Sequence, residues 1–172
     1  MDIEIYRMSP DVRMPKFGTD RATCFDIEYC PVSDIVTGYD RYNIVITRYV
    51  NKTTDDITIN PGDRLLIPTG LVFAFNENTQ RQYSLRLHAR SGFALKRGLV
   101  LANSTGVVDV DYRQQVYALM VNTSDMVQTI LKYERICQGE IVRNEFFNFE
   151  ETLKYPEKFG NRTGGFGSTG TT

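Results

Sequence analysis

Four stretches of the sequence combine residue types suited to chemistry on phosphate. Asp109 and Asp111 lie in Asn103-Ser-Thr-Gly106-Val107-Val108-Asp109-Val110-Asp111-Tyr112, where the valine pair reads as a strand leading into a turn. In an extended chain both carboxylates share one face. A carboxylate there could activate a water or help hold a cation. Asp also favours turns for a purely local reason, because it hydrogen-bonds its own backbone. The second stretch is His88-Ala89-Arg90-Ser91-Gly92. A strand ends there and a short helix opens with Ser91 near its N-cap, so free N–H groups and the forked cation of Arg90 suit a phosphate. An ordinary capped helix with a surface arginine reads the same way. The third is Arg135-Ile-Cys-Gln138-Gly139. An amide inside an apolar strand needs a partner, either a backbone group or a ligand.

The fourth stretch is the closing run GNRTGGFGSTGTT, where Gly165 to Gly170 match G-x-G-x-x-G in letters. A dinucleotide loop needs a strand before it and a helix after it, and the sequence ends two residues later. A P-loop needs Gly-Lys-Ser/Thr, and Phe166 stands where the lysine belongs. A closing flap fits the run better, with Phe166 for stacking and Arg162 and backbone amides for phosphate. Together the four stretches point to a flat-faced, phosphate-bearing ligand.

The elements that must position these residues are short and alternating. Ile3-Glu4-Ile5-Tyr6 alternates from the start, 42–50 is rich in β-branched and aromatic residues, and 64–67 and 71–75 each follow a Pro/Gly turn signal. Tyr83, Leu85 and Leu87 point one way and Ser84, Arg86 and His88 the other; 116–121 and 135–142 are similar. Strands at such spacing predict an all-β sandwich or barrel. Only 91–97, SGFALKR, reads as helix. The polar segment 34–56 predicts an exposed hairpin or long loop. With 172 residues, a single domain over 1–158 is expected, followed by a mobile C-terminal lid at 159–172.

Composition removes several classes of function. A net charge of −1 gives no basic excess for nucleic-acid backbones. One histidine and three scattered cysteines make neither a zinc site nor a disulfide framework. No signal core or membrane-length apolar run is visible, so a cytoplasmic protein is expected.

The ordered set Ala22-Thr-Cys-Phe-Asp26-Ile27, Arg90-Ser-Gly92, Gly106-Val-Val-Asp109-Val-Asp-Tyr112-Arg113, Arg135-Ile-Cys-Gln138 and Gly164-Gly-Phe166-Gly-Ser-Thr-Gly170 resembles the five motifs of the trimeric dUTPases. Pro61-Gly62-Asp63-Arg64 and Ile67-Pro68-Thr69-Gly70 resemble the family's stretch between its first two motifs. The resemblance implies a distorted jelly-roll β-barrel, a homotrimer with active sites at subunit interfaces, and hydrolysis of dUTP to dUMP and pyrophosphate with Mg²⁺. It implies that Asp109 activates the attacking water and that Tyr112 lies against the deoxyribose, leaving no room for a 2′-hydroxyl. Val107, Val108 and Tyr117 would read uracil through backbone groups, with Gly106 and Asn103 in support. Arg90, Ser91, Gly92 and Gln138 would contact phosphates. Phe166 would stack on the base, with Arg162, Gly167 and Ser168 in the lid. Asp26 would meet the metal through water.

Four positions depart from the family pattern. Cys24 and Gln114 stand where glycines are usual, Arg162 is one place nearer the Gly-Gly-Phe, and the 34–56 connection is longer. Two other readings share the fold. A dCTP deaminase carries a proton-carrying glutamate after the third motif, where this chain has Leu119. A regulatory relative would keep the nucleotide pocket and use 34–56 to meet a protein partner.

Overall fold

The computed structural model describes residues 3–76 and 82–161. Two five-stranded antiparallel sheets dominate. The first contains β2 (Lys16–Phe17), β3 (Phe25–Glu28), β9 (Tyr83–Ala89), β11 (Thr105–Val108) and β14 (Arg135–Arg143), in the order β11-β9-β14-β3-β2. The second contains β4 (Ile35–Tyr39), β5 (Val45–Tyr49), β7 (Arg64–Pro68), β10 (Leu99–Leu101) and β12 (Tyr117–Asn122), in the order β10-β12-β7-β4-β5. Two ribbons complete the β structure. β1 (Glu4–Arg7) pairs with β8 (Leu71–Ala74), and β6 (Ile57–Ile59) pairs with β13 (Gln128–Ile130). The single helix among the described residues is α1 (Ser91–Arg97). None of the described helices is long and apolar enough to cross a membrane.

Alternation in sequence becomes alternation in burial. Along β12, Ala118, Met120 and Asn122 are buried while Tyr117 is exposed. Ile27, Leu65, Ile67, Leu85, Leu99, Ala118, Met120 and Ile136 show no exposed surface and join both sheets in one core. Each fully buried Leu or Ile contributes roughly 1.5–3 kcal/mol from removal of apolar surface from water.

The segment 34–56 contains the β4–β5 hairpin, which joins the second sheet through Gly38 opposite Leu65 and Tyr39 opposite Arg64. The strands touch so closely that a Cβ on Gly38 would overlap the Arg64 carbonyl. The strand expected from residue 42 starts only at Val45. Asp40 Oδ1 accepts from the backbone N–H of Tyr42 (2.8 Å) and Ile44 (2.9 Å), and Asn43 sits at φ 65°, so these residues turn instead. β3 was hidden in the sequence because its second residue is a buried carboxylate, Asp26.

Candidate active site

A polar row crosses the first sheet at one level. Strand register sets Lys16 opposite Asp26, Asp26 opposite Gln138, Gln138 opposite His88 and His88 opposite Thr105. Directly opposed residues share a sheet face, so Asp26, Gln138 and His88 form one ladder. Asp26 is only 9% exposed. Its Oδ1 meets Arg90 Nε at 3.2 Å and accepts from Gln138 Nε2 at 3.4 Å, and its Oδ2 accepts from Arg135 Nη1 at 3.0 Å. Arg90 also donates from Nη1 to the Arg135 carbonyl at 2.9 Å. The partner of Gln138 is therefore a carboxylate, neither of the two alternatives its strand position suggested. Beside it, His88 Nε2 lies 3.0 Å from Glu140 Oε2.

Arg90 is the N-cap residue of α1, and no side chain caps the helix. Ser91 is the first helical residue, and both it and Gly92 are exposed. Nothing lies within 4 Å of a Cβ built on Gly92, so the open face belongs to solvent or a ligand. Two thiols sit near this cluster. Burial, reinforced by Asp26, pushes the Cys137 thiol up to about 12, and burial with Glu140 raises that of Cys24. Neither Cys24 nor Gln114 has a positive φ, so their backbone geometry does not require the glycines usual there.

The second half of the site hangs on β11. Gly106 packs this strand against β9, where a Cβ would stand 3.2 Å from Leu87 Cβ and 3.5 Å from Asn103 Nδ2. Val107 is exposed, Val108 packs against the core, and Asn103 lies in the turn before the strand. Asp109 follows Val108 and is exposed. The chain then turns, with the Tyr112 N–H donating to the Asp109 carbonyl at 3.1 Å. An extended arrangement with Asp109 and Asp111 on one face is therefore not what forms; turn hydrogen bonding wins. Tyr112 Oη donates to the Gln115 carbonyl (3.0 Å), and Gln115 Nε2 donates to Tyr117 Oη (2.7 Å). Gln115 Oε1 accepts the Gly70 N–H at 2.9 Å, and Thr69 Oγ1 donates to the Val116 carbonyl at 2.6 Å. Gly70 has φ +69°, and a Cβ on it would run into Val12, so the Pro-Thr-Gly turn that carries these bonds accepts only glycine. A cleft of about 1110 Å³ opens between Asp109 and the 144–149 segment.

The two halves do not meet within one chain. Asp26, Gln138 and His88 stand level with Thr105, whereas Asp109 follows Val108, the partner of Leu85. Asp109 is thus four residue steps further on, roughly 13 Å at about 3.3 Å per residue. It is also three strands from Asp26, roughly 14 Å across at about 4.8 Å per strand. Arg90 and Asp109 lie beyond opposite ends of the β9–β11 pair.

Comparison with known proteins identifies the family. A dUTPase family model matches residues 52–170. The deoxyuridine 5′-triphosphate nucleotidohydrolase of Nautilia profundicola is 31% identical over 173 residues, covering 99% of each chain. That of Finegoldia magna is 38% identical over 118 residues, 69% of this chain and 79% of the relative. The chain belongs to the dUTPase family. In structure it is similar to a mutant dUTPase of Staphylococcus bacteriophage 80alpha solved with dUpNHpp, with a TM-score of 0.75 and 18% identity over 99% of both chains. At that identity the likeness speaks for the shared all-β fold.

Of the residues expected in the site, Asp26, Arg90 and Gln138 are in direct contact, with Ser91 and Gly92 beside them. Asp109, Tyr112 and Tyr117 gather around the other turn. Arg162, Phe166, Gly167 and Ser168 lie outside the described residues. Sequence reasoning gave no role to Arg135, Gln115 or Arg113. Their signal was adjacency: Arg135 opens the stretch that contains Gln138, and Arg113 and Gln115 follow Tyr112 within three residues.

Proposed function

We propose that this protein hydrolyses dUTP to dUMP and pyrophosphate, lowering dUTP and supplying dUMP for thymidylate synthesis. One observation carries the mechanism: in a chain of the dUTPase family, the Asp109 carboxylate stands exposed at the end of β11 beside the tethered Tyr112. Asp109 accepts a proton from a water whose oxygen attacks the α-phosphorus. The bond from that phosphorus to the bridging oxygen breaks, pyrophosphate leaves, and the proton passes to solvent. The Tyr112 ring lies against the deoxyribose and excludes a 2′-hydroxyl. Backbone groups of Val107, Val108 and Tyr117 read uracil, with Asn103 and Gly106 shaping the pocket. Cytosine reverses the donor and acceptor pattern and leaves buried groups unpaired. Arg90, Ser91, Gly92 and Gln138 receive phosphates, and Phe166, Arg162, Gly167 and Ser168 close the lid.

The residues fit a Mg²⁺ carried by the triphosphate. Among the described residues no three His, Cys, Asp or Glu side chains cluster to hold an ion. Asp26 already receives three donors, which leaves room for a single water-mediated contact. When bound, such an ion offsets charge on the leaving pyrophosphate.

The same reading makes the enzyme a homotrimer with shared sites. What supports it is the separation of Asp109 from the Arg90 cluster. A base must lie within about 3 Å of the proton it takes, and the phosphates next to the attacked one must also reach Arg90. One copy therefore supplies Asp109 and Tyr112, and its neighbour supplies Arg90, Ser91, Gly92 and Gln138. The outer face of the β4–β5 hairpin exposes Tyr39, Val45 and Tyr49, and it is the surface we assign to any protein partner.

The substrate assay tests the reading. The protein is incubated with Mg²⁺ and dUTP, dCTP, dTTP or UTP, and pyrophosphate and ammonia are measured. Pyrophosphate from dUTP alone is expected; ammonia from dCTP would overturn it.

A further inference from the structure

A guanidinium ties the turn that bears Asp109 to the body of the protein. Arg113 Nη1 donates to the Val110 carbonyl at 2.6 Å, inside the turn. The same nitrogen lies 3.5 Å from the Phe73 carbonyl, and Nη2 donates to the Phe75 carbonyl at 2.7 Å. Phe73 lies in β8 and Phe75 just beyond it, and both side chains are buried in the core. A rigid, planar fork thus spans from the turn to two carbonyls at the end of β8. Lysine has a single nitrogen and cannot reproduce this geometry.

We propose that Arg113 is the positioning residue for Asp109. It acts through the backbone of the 109–113 turn and holds the carboxylate where the attacking water must sit. The inference rests on the hydrolytic reading above. It separates two jobs within one turn. Tyr112 has its own tether, through the Gln115 carbonyl and the Gln115 side chain to Gly70 and Tyr117. Sugar and base binding therefore survive loss of the Arg113 clamp, while the alignment of the water does not. An interaction needed only for alignment in the transition state shows in kcat, not in KM.

Arg113→Lys tests this in the full-length protein, with Arg113→Met as a second variant in case one of them fails to fold. Melting temperature and steady-state kinetics on dUTP are measured for each and for the wild type. The expected result is a folded variant whose kcat falls about 10- to 100-fold, the scale of a small misplacement of a reacting group. KM should change by less than about threefold, as uniform binding is untouched. A folded variant with kcat within about twofold of wild type overturns the inference, and so does a loss confined to KM. A wild-type protein inactive on dUTP sinks the functional reading instead, so the two failures are distinguishable.

Discussion

Arg90 Nε meets Asp26 Oδ1 at 3.2 Å, and this contact ties the residue before α1 to the middle of β3. Arg135 takes the other oxygen of the same carboxylate. Asp26 is thereby the counter-ion of two cations. Removing it leaves two guanidiniums facing one another. Breaking a fully buried ion pair costs about 3–5 kcal/mol. Because Arg135 is half exposed and can rehydrate, Asp26→Ala should cost about 1–3 kcal/mol. Asp26→Asn, which keeps the shape, should cost less. Urea unfolding checks this, and an unchanged midpoint for Asp26→Ala would show that the pairing has no energetic weight.

The hairpin offers a test that should leave the chemistry alone. A Cβ at Gly38 would overlap the Arg64 carbonyl, so Gly38→Ala must push β4 away from β7. It should destabilise the protein by about 1–3 kcal/mol, the usual cost of overpacking. The half-buried Arg48–Asp63 ion pair, 2.5 Å long, is a second link between the hairpin and the body, which argues against full detachment. Turnover of dUTP should persist, because β4 and β5 belong to the sheet that lacks Asp26 and Gln138. Denaturation and kinetics on one sample decide the point; a stable variant with lost turnover would reverse it.

Cys137 gives a pH dependence with a definite sign. Its thiol has an ordinary value of 9.0 and is pushed up to about 12 in the fold, first by burial and then by Asp26. The folded state holds the proton longer than the unfolded chain does. Its contribution is fully present below pH 9 and is lost as pH rises toward 12. Three pH units correspond to at most about 4 kcal/mol. Cys137→Ala should therefore flatten the fall in stability between pH 8.5 and 11, roughly the window that linkage sets. Equal slopes for both proteins would exclude the thiol as a source of alkaline instability.

Most of the fold was legible because period-two patterning survives where one strand face is buried. β7, β8, β9, β12, β14 and α1 lie where alternation and turn signals put them. β3 was not, since Asp26 breaks its apolar run and is tolerated only because arginines from two distant segments reach it. The site was legible as residue types but not as an arrangement. Nothing in Arg135-Ile-Cys-Gln138 says that Gln138 will face Asp26; strand register does. Likewise the distance between Asp109 and Arg90 depends on how β11 pairs with β9, which local sequence does not encode.

That distance leads to the most direct test. Two variants, Arg90→Ala and Asp109→Asn, are each expected to be inactive on dUTP when made alone. They are then co-expressed with different tags, and mixed oligomers are purified through both tags. If Asp109 of one copy serves Arg90 of the next, a mixed ring contains intact sites. Random assembly of equal amounts into a head-to-tail ring makes about one interface in four fully native. Activity is expected to return to about that fraction of wild type in the unselected mixture and to be present in every doubly tagged oligomer. Doubly tagged oligomers with no dUTP hydrolysis, beside an active wild type, would contradict it.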